Sequence, residues 1–130
     1  MAIPVLMRQA ISRKKGRVNM FEKISRAQFI RDNEGKTVSL VLAGILSEKQ
    51  MNRVMGAWGK GTHLPPKTTN NRYKGVFHKY SKGFYRKGED KEKSYYFFET
   101  GSYVVSTGNI YLIIRPLGED YQVMGYRRED

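Results

Sequence analysis

The chain contains no cysteine and two histidines, His63 and His78. Near neutral pH these imidazoles are its natural proton-transfer groups. Both lie in a cationic stretch. Phosphodiester cleavage needs a proton acceptor beside a cation, and His78 with Tyr80, Arg86 and Glu89 is the set that could supply it, as in a basic RNase or toxin. A lone surface histidine is more often only that. Neither histidine has a second ligand at metal spacing, so no metal site is expected. Gly83 and Gly88 are too isolated to form a phosphate-cradling loop. The expectation is a protein without catalytic residues, cofactor or metal.

The stretch that holds the histidines, residues 60–93, carries ten Lys/Arg against Glu89, Asp90 and Glu92. Tyr73, Phe77, Tyr80, Phe84 and Tyr85 are interleaved with Arg72, Lys74, Lys79, Lys82, Arg86 and Lys87. Rings among cations serve single-stranded nucleic acid grooves, where bases stack and cations follow phosphates. They also serve protein interfaces, where Tyr and Arg dominate hot spots. A structureless loop of this length is uncommon, so 60–93 is expected to be a basic arm or an inserted hairpin that orders on a partner. The five aromatic residues are its candidate partner-binding set. A second basic arm is expected over residues 1–17. Its Arg13, Lys14, Lys15 and Arg17, with Lys74, Lys79, Lys82 and Arg86, are candidates for contacts to phosphates or to an acidic surface.

At 130 residues the chain is long enough for one domain with a core. Its hydrophobic share is 39% and its net charge +12. That charge favours polyanions or acidic partners. The apolar run before Arg8 is too short for a signal peptide or a membrane span, so no membrane role is expected.

The elements that position these residues are expected to be α+β: an antiparallel sheet with two or three short helices. Residues 3–11 and 18–25 read as short helices. Residues 26–30 alternate, with Ala27 and Phe29 on one face, and Asp32 to Gly35 reads as a turn. Residues 37–45 form the most β-like run, expected to pair with 26–30 as a hairpin. Ser47 and Gln50 fit a capping box before the helical stripe Met51, Val54, Met55, Trp58, with Gly59 closing it. Residues 94–106 read as strand, turn at Thr100-Gly101, strand. Residues 109–115 and 121–127 are further strands about the turn 116–120, and residues 127–130 form a frayed tail.

The Lys14 to Trp58 stretch resembles the tail-completion, or virion-morphogenesis, proteins of contractile-tailed bacteriophages. The likeness rests on Lys14-Lys15-Gly16-Arg17-Val18, Met20-Phe21, Lys23-Ile24, Phe29-Ile30, the strand from Thr37 to Leu42, and Arg53-Val54. A shorter match is Arg115-Pro116-Leu117-Gly118 followed by acidic residues. The resemblance implies a non-enzymatic structural subunit of a virion, acting in tail completion or the head-tail neck, with copies of itself in a ring. Its neighbours would be phage tail or connector proteins, with DNA passing through a channel. The other readings are a small basic nucleic-acid-binding protein and the RNase or toxin above.

Overall fold

The computed structural model describes residues 21–61, 63–65, 74–80, 83–87, 93–96 and 98–129, with only the backbone described at 80, 83 and 93–96. In chain order these form strand β1 (Glu22–Ile24), helix α1 (Arg26–Asn33), strand β2 (Thr37–Leu46), helix α2 (Glu48–Gly59), and strands β3 (Lys74–Tyr80), β4 (Gly83–Lys87), β5 (Lys93–Tyr96), β6 (Tyr103–Thr107), β7 (Ile110–Leu117) and β8 (Asp120–Arg128). All eight strands join one antiparallel sheet in the order β1-β6-β7-β8-β2-β3-β4-β5. The α+β expectation holds at this level, with two helices among the described residues.

β2 is the centre of the order. Along most of its length it pairs with β8, and at Thr37–Ser39 it also pairs with β3. A bulge between Leu40 and Leu42 turns the second half of β2. Because side chains alternate across a strand, successive residues enter different cores. On one face Tyr103, Val105, Leu112, Ile114 and Val123 meet Phe21 and the Met51 and Met55 side chains of α2, with Leu42, Leu46 and Trp58 packed at the margin. On the other, Val104, Tyr111, Tyr126, Val38, Phe77 and Phe84 surround Phe29 of α1. Gly125 allows the close approach on the α2 side: a Cβ there would stand 3.0 Å from Leu42 Cβ and 3.1 Å from Leu112 Cδ2.

α2 is built as its sequence requires. Ser47 Oγ accepts from Gln50 N at 3.2 Å, and Gln50 Oε1 accepts from Ser47 N at 2.8 Å. The helix runs through Gly59, and it is Gly61 that takes the positive φ, 80°.

Several expectations are corrected. Residues 22–24 form a strand rather than a helix, and 26–30 open a helix rather than a hairpin strand. Ser25 caps that helix, accepting from Gln28 N at 3.0 Å. Phe29 and Asn33 share its inward face at a spacing of four, which the Ala27/Phe29 alternation concealed. Of the expected turn Asp32 to Gly35, Asp32 and Asn33 are the last residues of α1, and the turn itself falls at Glu34 and Gly35, where Gly35 has φ 75°. β5 and β6 flank the Thr100-Gly101 turn yet lie at separate places in the sheet and do not pair with each other. The tail is not frayed as far as Glu129: Arg127 and Arg128 belong to β8, and Glu129 N donates to Thr37 O at 2.8 Å. β3 and β4 form a hairpin integral to the sheet. The expected helix 3–11 and arm 1–17 lie outside the described residues, as do residues 66–73, 81–82 and 88–92 of the expected second arm.

Candidate binding surfaces

Strand alternation decides where the candidate residues of the β3–β4 hairpin go. Phe77, Phe84 and Arg86 point to the α1 face and are buried. Phe77 and Phe84 stack at a centroid distance of 4.6 Å, and Phe29 meets both edge-on at 5.3 and 5.4 Å. These two rings are core, not partner-binding surface, and Arg86, 5% exposed, is no surface contact for phosphate. The physical reason is that rings interleaved with cations in a strand are sorted to opposite faces by the period of two.

The opposite face of the hairpin carries His78 and Tyr85, paired across the strands with ring centroids 5.2 Å apart. Lys87 lies on that same face two residues from Tyr85, and Lys74 four residues from His78. Lys87 is exposed and Tyr85 half-buried. Lys74 Nζ lies 3.9 Å from Glu129 Oε2, which also accepts from Ser39 Oγ at 2.9 Å. His78 Nδ1 lies 3.2 Å from Glu34 Oε2, and the other oxygen of Glu34 accepts from Lys79 N at 2.6 Å. Glu34 thus clasps the end of α1 to β3. His78 and Arg86 face opposite ways, so the RNase set is not assembled as read. Glu89 lies outside the described residues, as does the side chain of Tyr80. Tyr73, Lys82, Arg13, Lys14, Lys15 and Arg17 are outside them too.

Lys79 is exposed and borders an open cavity of about 250 Å³ between α1 and β3, lined also by Ala27, Ile30, Arg31 and Glu34. Among the described residues no group of three or more His, Asp or Glu could hold a metal. No described helix is long and apolar enough to cross a membrane.

A second surface escaped the sequence reading. Ala43, Met124 and Ile113 form one cross-strand row, and Ile45, Gln122 and Arg115 the next. Both rows lie on the α1 face; Ile113 and Met124 pack at the margin of the Phe29 cluster, and the second row lies outside it. Ile45 is 58% exposed and Leu117 40%. Arg115 is held in place by Gln122 Oε1, which accepts from its Nε at 3.0 Å and its Nη2 at 2.8 Å. The available signal was the alternation through residues 113–117, which puts Ile113, Arg115 and Leu117 on one side.

A third feature, buried and polar, ties α1 to the sheet. Tyr111 Oη donates to Asp32 Oδ2 at 3.2 Å and accepts from Arg128 Nη1 at 2.7 Å. Arg128 Nη1 also donates to Asp32 O at 3.2 Å. Burial raises the Tyr111 pKa, with Arg128 opposing and Asp32 adding to the rise. These bonds hold the end of α1 on the sheet, so the cluster's role is structural.

Comparison with protein-family models, curated proteins and solved structures finds no match to this chain.

Proposed function

We propose that the protein is a non-enzymatic structural subunit of a phage virion, acting in tail completion or the head-tail neck and assembling with copies of itself. The observation that carries the reading is the uncovered apolar end of the sheet. Ile45 stands in solvent beside Gln122, and Leu117 two residues beyond Arg115 on the same face, and exposed apolar side chains of this kind favour burial against a partner. The sequence likeness adds support, because its Arg115-Pro116-Leu117-Gly118 element is the end of β7 beside those residues, with Gly118 opening the β7–β8 turn at φ 63°. A ring uses two different patches on each copy, so one apolar face that meets a different surface suits it.

The test is the solution mass by light scattering at low and high salt. The wild-type protein should show a defined oligomer. Ile45→Asp, which sets an unpaired charge in the interface, should reduce it to a monomer with an unchanged far-UV circular dichroism spectrum. A wild-type monomer at every concentration, or an Ile45→Asp variant of undiminished mass, removes the support for this reading.

A further inference from the structure

We infer that copies of the chain join head to tail, with the β7–β8 turn of one copy seated in the open cavity between α1 and β3 of the next. This pairing rests on the assembly reading above and names the surface that receives the exposed turn. The turn has the form of a knob. Leu117 and Asp120 are cross-strand partners, so both side chains leave the sheet on the same face. Gly118, at φ 63°, and Glu119 make the two-residue turn between them, and so tight a turn holds its shape before any partner arrives. Leu117, Glu119 and Asp120 are all exposed. Neither carboxylate joins an ion pair among the described residues.

The cavity complements that knob. Ala27 and Ile30 of α1 give it an apolar lining, and Arg31 and Lys79, both exposed, line it with positive charge. Arg31 Nη2 donates to the neutral Gln28 Oε1 at 2.9 Å, and neither cation meets a carboxylate side chain in an ion pair among the described residues. Glu34, the remaining lining residue, has its two oxygens engaged by Lys79 N and His78 Nδ1. At about 250 Å³ the cavity is smaller than the ~300–1,000 Å³ of pockets that enclose small ligands, and its open form suits one protruding side chain. An aliphatic side chain beside two carboxylates thus matches an apolar hollow beside two cations, and such complementarity fixes both the partner and its orientation. A copy cannot fill its own cavity. Leu117 and Asp120 lie past the Leu46 end of β2, and Lys79 lies past the Thr37 end. The ends of this 10-residue strand are about 30 Å apart. Knob and cavity therefore serve opposite neighbours, which is a heterologous contact that repeats from copy to copy.

The test uses charge reversal on the full chain, read by light scattering. One variant carries Glu119→Lys with Asp120→Lys, the other Arg31→Glu with Lys79→Glu. Each alone should be a monomer with the wild-type far-UV circular dichroism spectrum, because like charges then face each other across every junction. Mixed in equal amounts, the two should recover the wild-type mass, since alternating copies make junctions that are either native or reversed on both sides. The recovered assembly should weaken as salt rises. Should a double variant fail to fold, single cysteines decide, because the chain has none of its own. Under mild oxidation a mixture of Ala27→Cys and Leu117→Cys chains should form disulfide-linked dimers that neither chain forms alone. A folded double variant of wild-type mass, no recovery on mixing, no linked dimers in the cysteine mixture, or dimers from Leu117→Cys alone would overturn the head-to-tail pairing and leave self-assembly standing. A wild-type monomer at every concentration would remove the assembly reading and this pairing with it.

Discussion

The two faces of the sheet are closed by different means. On the α2 side the contacts are mostly aliphatic and spread over Met51, Met55, Val105, Leu112, Ile114 and Val123, with Phe21 and Tyr103 adding rings at separate places. On the α1 side one ring, Phe29, sits among Phe77, Phe84, Phe98 and Tyr111 at centroid distances of 5.3 to 6.0 Å. α1 is two turns long and buries only Phe29 and Asn33, so it lacks the apolar stripe that holds most helices. Polar ties replace the stripe: Asp32 to Tyr111 and Arg128, Arg26 Nη2 to Ser102 O at 3.1 Å, and Glu34 to β3. The difference teaches that equal burial does not mean equal resilience. Methionine-rich packing can adapt to a lost side chain, whereas a single aromatic plug cannot be replaced by its neighbours.

The strongest way to break this comparison is truncation at each centre. Phe29→Ala should cost about 4 kcal/mol, and Met55→Ala about 2–3 kcal/mol because adjacent methionine can move into part of the space. Urea unfolding checks both, read by fluorescence of Trp58, the only tryptophan, and by near-ultraviolet circular dichroism of the aromatic cluster. The two signals should coincide if the faces unfold as one unit. A larger loss for Met55→Ala than for Phe29→Ala would reverse the argument.

Next in size is Gly75→Ala. A Cβ at Gly75 would lie 2.2 Å from Lys87 O and 2.7 Å from Lys87 C. Those are backbone atoms, so β3 and β4 must part to admit it. A loss of about 2–3 kcal/mol is expected, with the near-ultraviolet aromatic signal weakened because Phe77 and Phe84 ride on these strands. Gly44→Ala is the contrasting substitution. It meets nothing within 4 Å, and thermal unfolding should place it within about 0.5 kcal/mol of wild type.

How much of this was legible follows the same division. The α2 side announced itself, because a capping box followed by a stripe at helical spacing points one way at every level. β2 and β7 were legible as long runs rich in β-branched residues, and β8 as the strand returning after the turn at Gly118. α1 was not, because two adjacent large apolar residues, Phe29 and Ile30, in RAQFIRDN give no period, and its helix is fixed by tertiary ties that no local pattern encodes. The β3–β4 hairpin was misread for a different reason. The sequence between Lys74 and Lys87 mixes rings and cations, and it looks adhesive until the alternation is followed residue by residue. Then Phe77, Phe84 and Arg86 fall inside, and His78, Tyr85 and Lys87 remain outside. The apolar patch at Ile45 was hidden because nothing local says that α1 is too short to cover the row it stands in.

The helix caps sharpen the comparison at a smaller scale. Ser47 takes part in a reciprocal pair with Gln50, whereas Ser25 accepts a single bond from Gln28. Ser47→Ala should cost about 1 kcal/mol and Ser25→Ala less, measured by thermal unfolding. Because α2 is held by area, losing its cap should not detach it, and the Trp58 signal of the folded state should be unchanged.

One buried tyrosine from each side carries the comparison to alkaline pH. Burial raises the pKa of Tyr103 far above its ordinary value, with Tyr121 adding to the rise, and it raises Tyr111 with Arg128 opposing. A raised pKa means that the folded state holds its proton where the unfolded chain has lost it. That stability is fully present below about pH 10 and drains away as pH climbs from there toward the folded pKa. Each such tyrosine can contribute at most about 1.4 kcal/mol per pH unit to that decline. Tyr103 should carry more of it, because burial and Tyr121 both push its pKa up, while Arg128 donates directly to Tyr111 and opposes the rise there. Tyr103→Phe should therefore flatten the alkaline limb of a melting-temperature profile and leave stability at pH 7 nearly unchanged. Its buried hydroxyl has no hydrogen-bond partner among the described residues to lose. Tyr111→Phe should do the reverse, flattening the limb less and costing about 1 kcal/mol or more at pH 7 through its bonds to Asp32 and Arg128. Equal behaviour of the two variants across the pH range would mean that the polar tie on the α1 side contributes nothing beyond the area it covers.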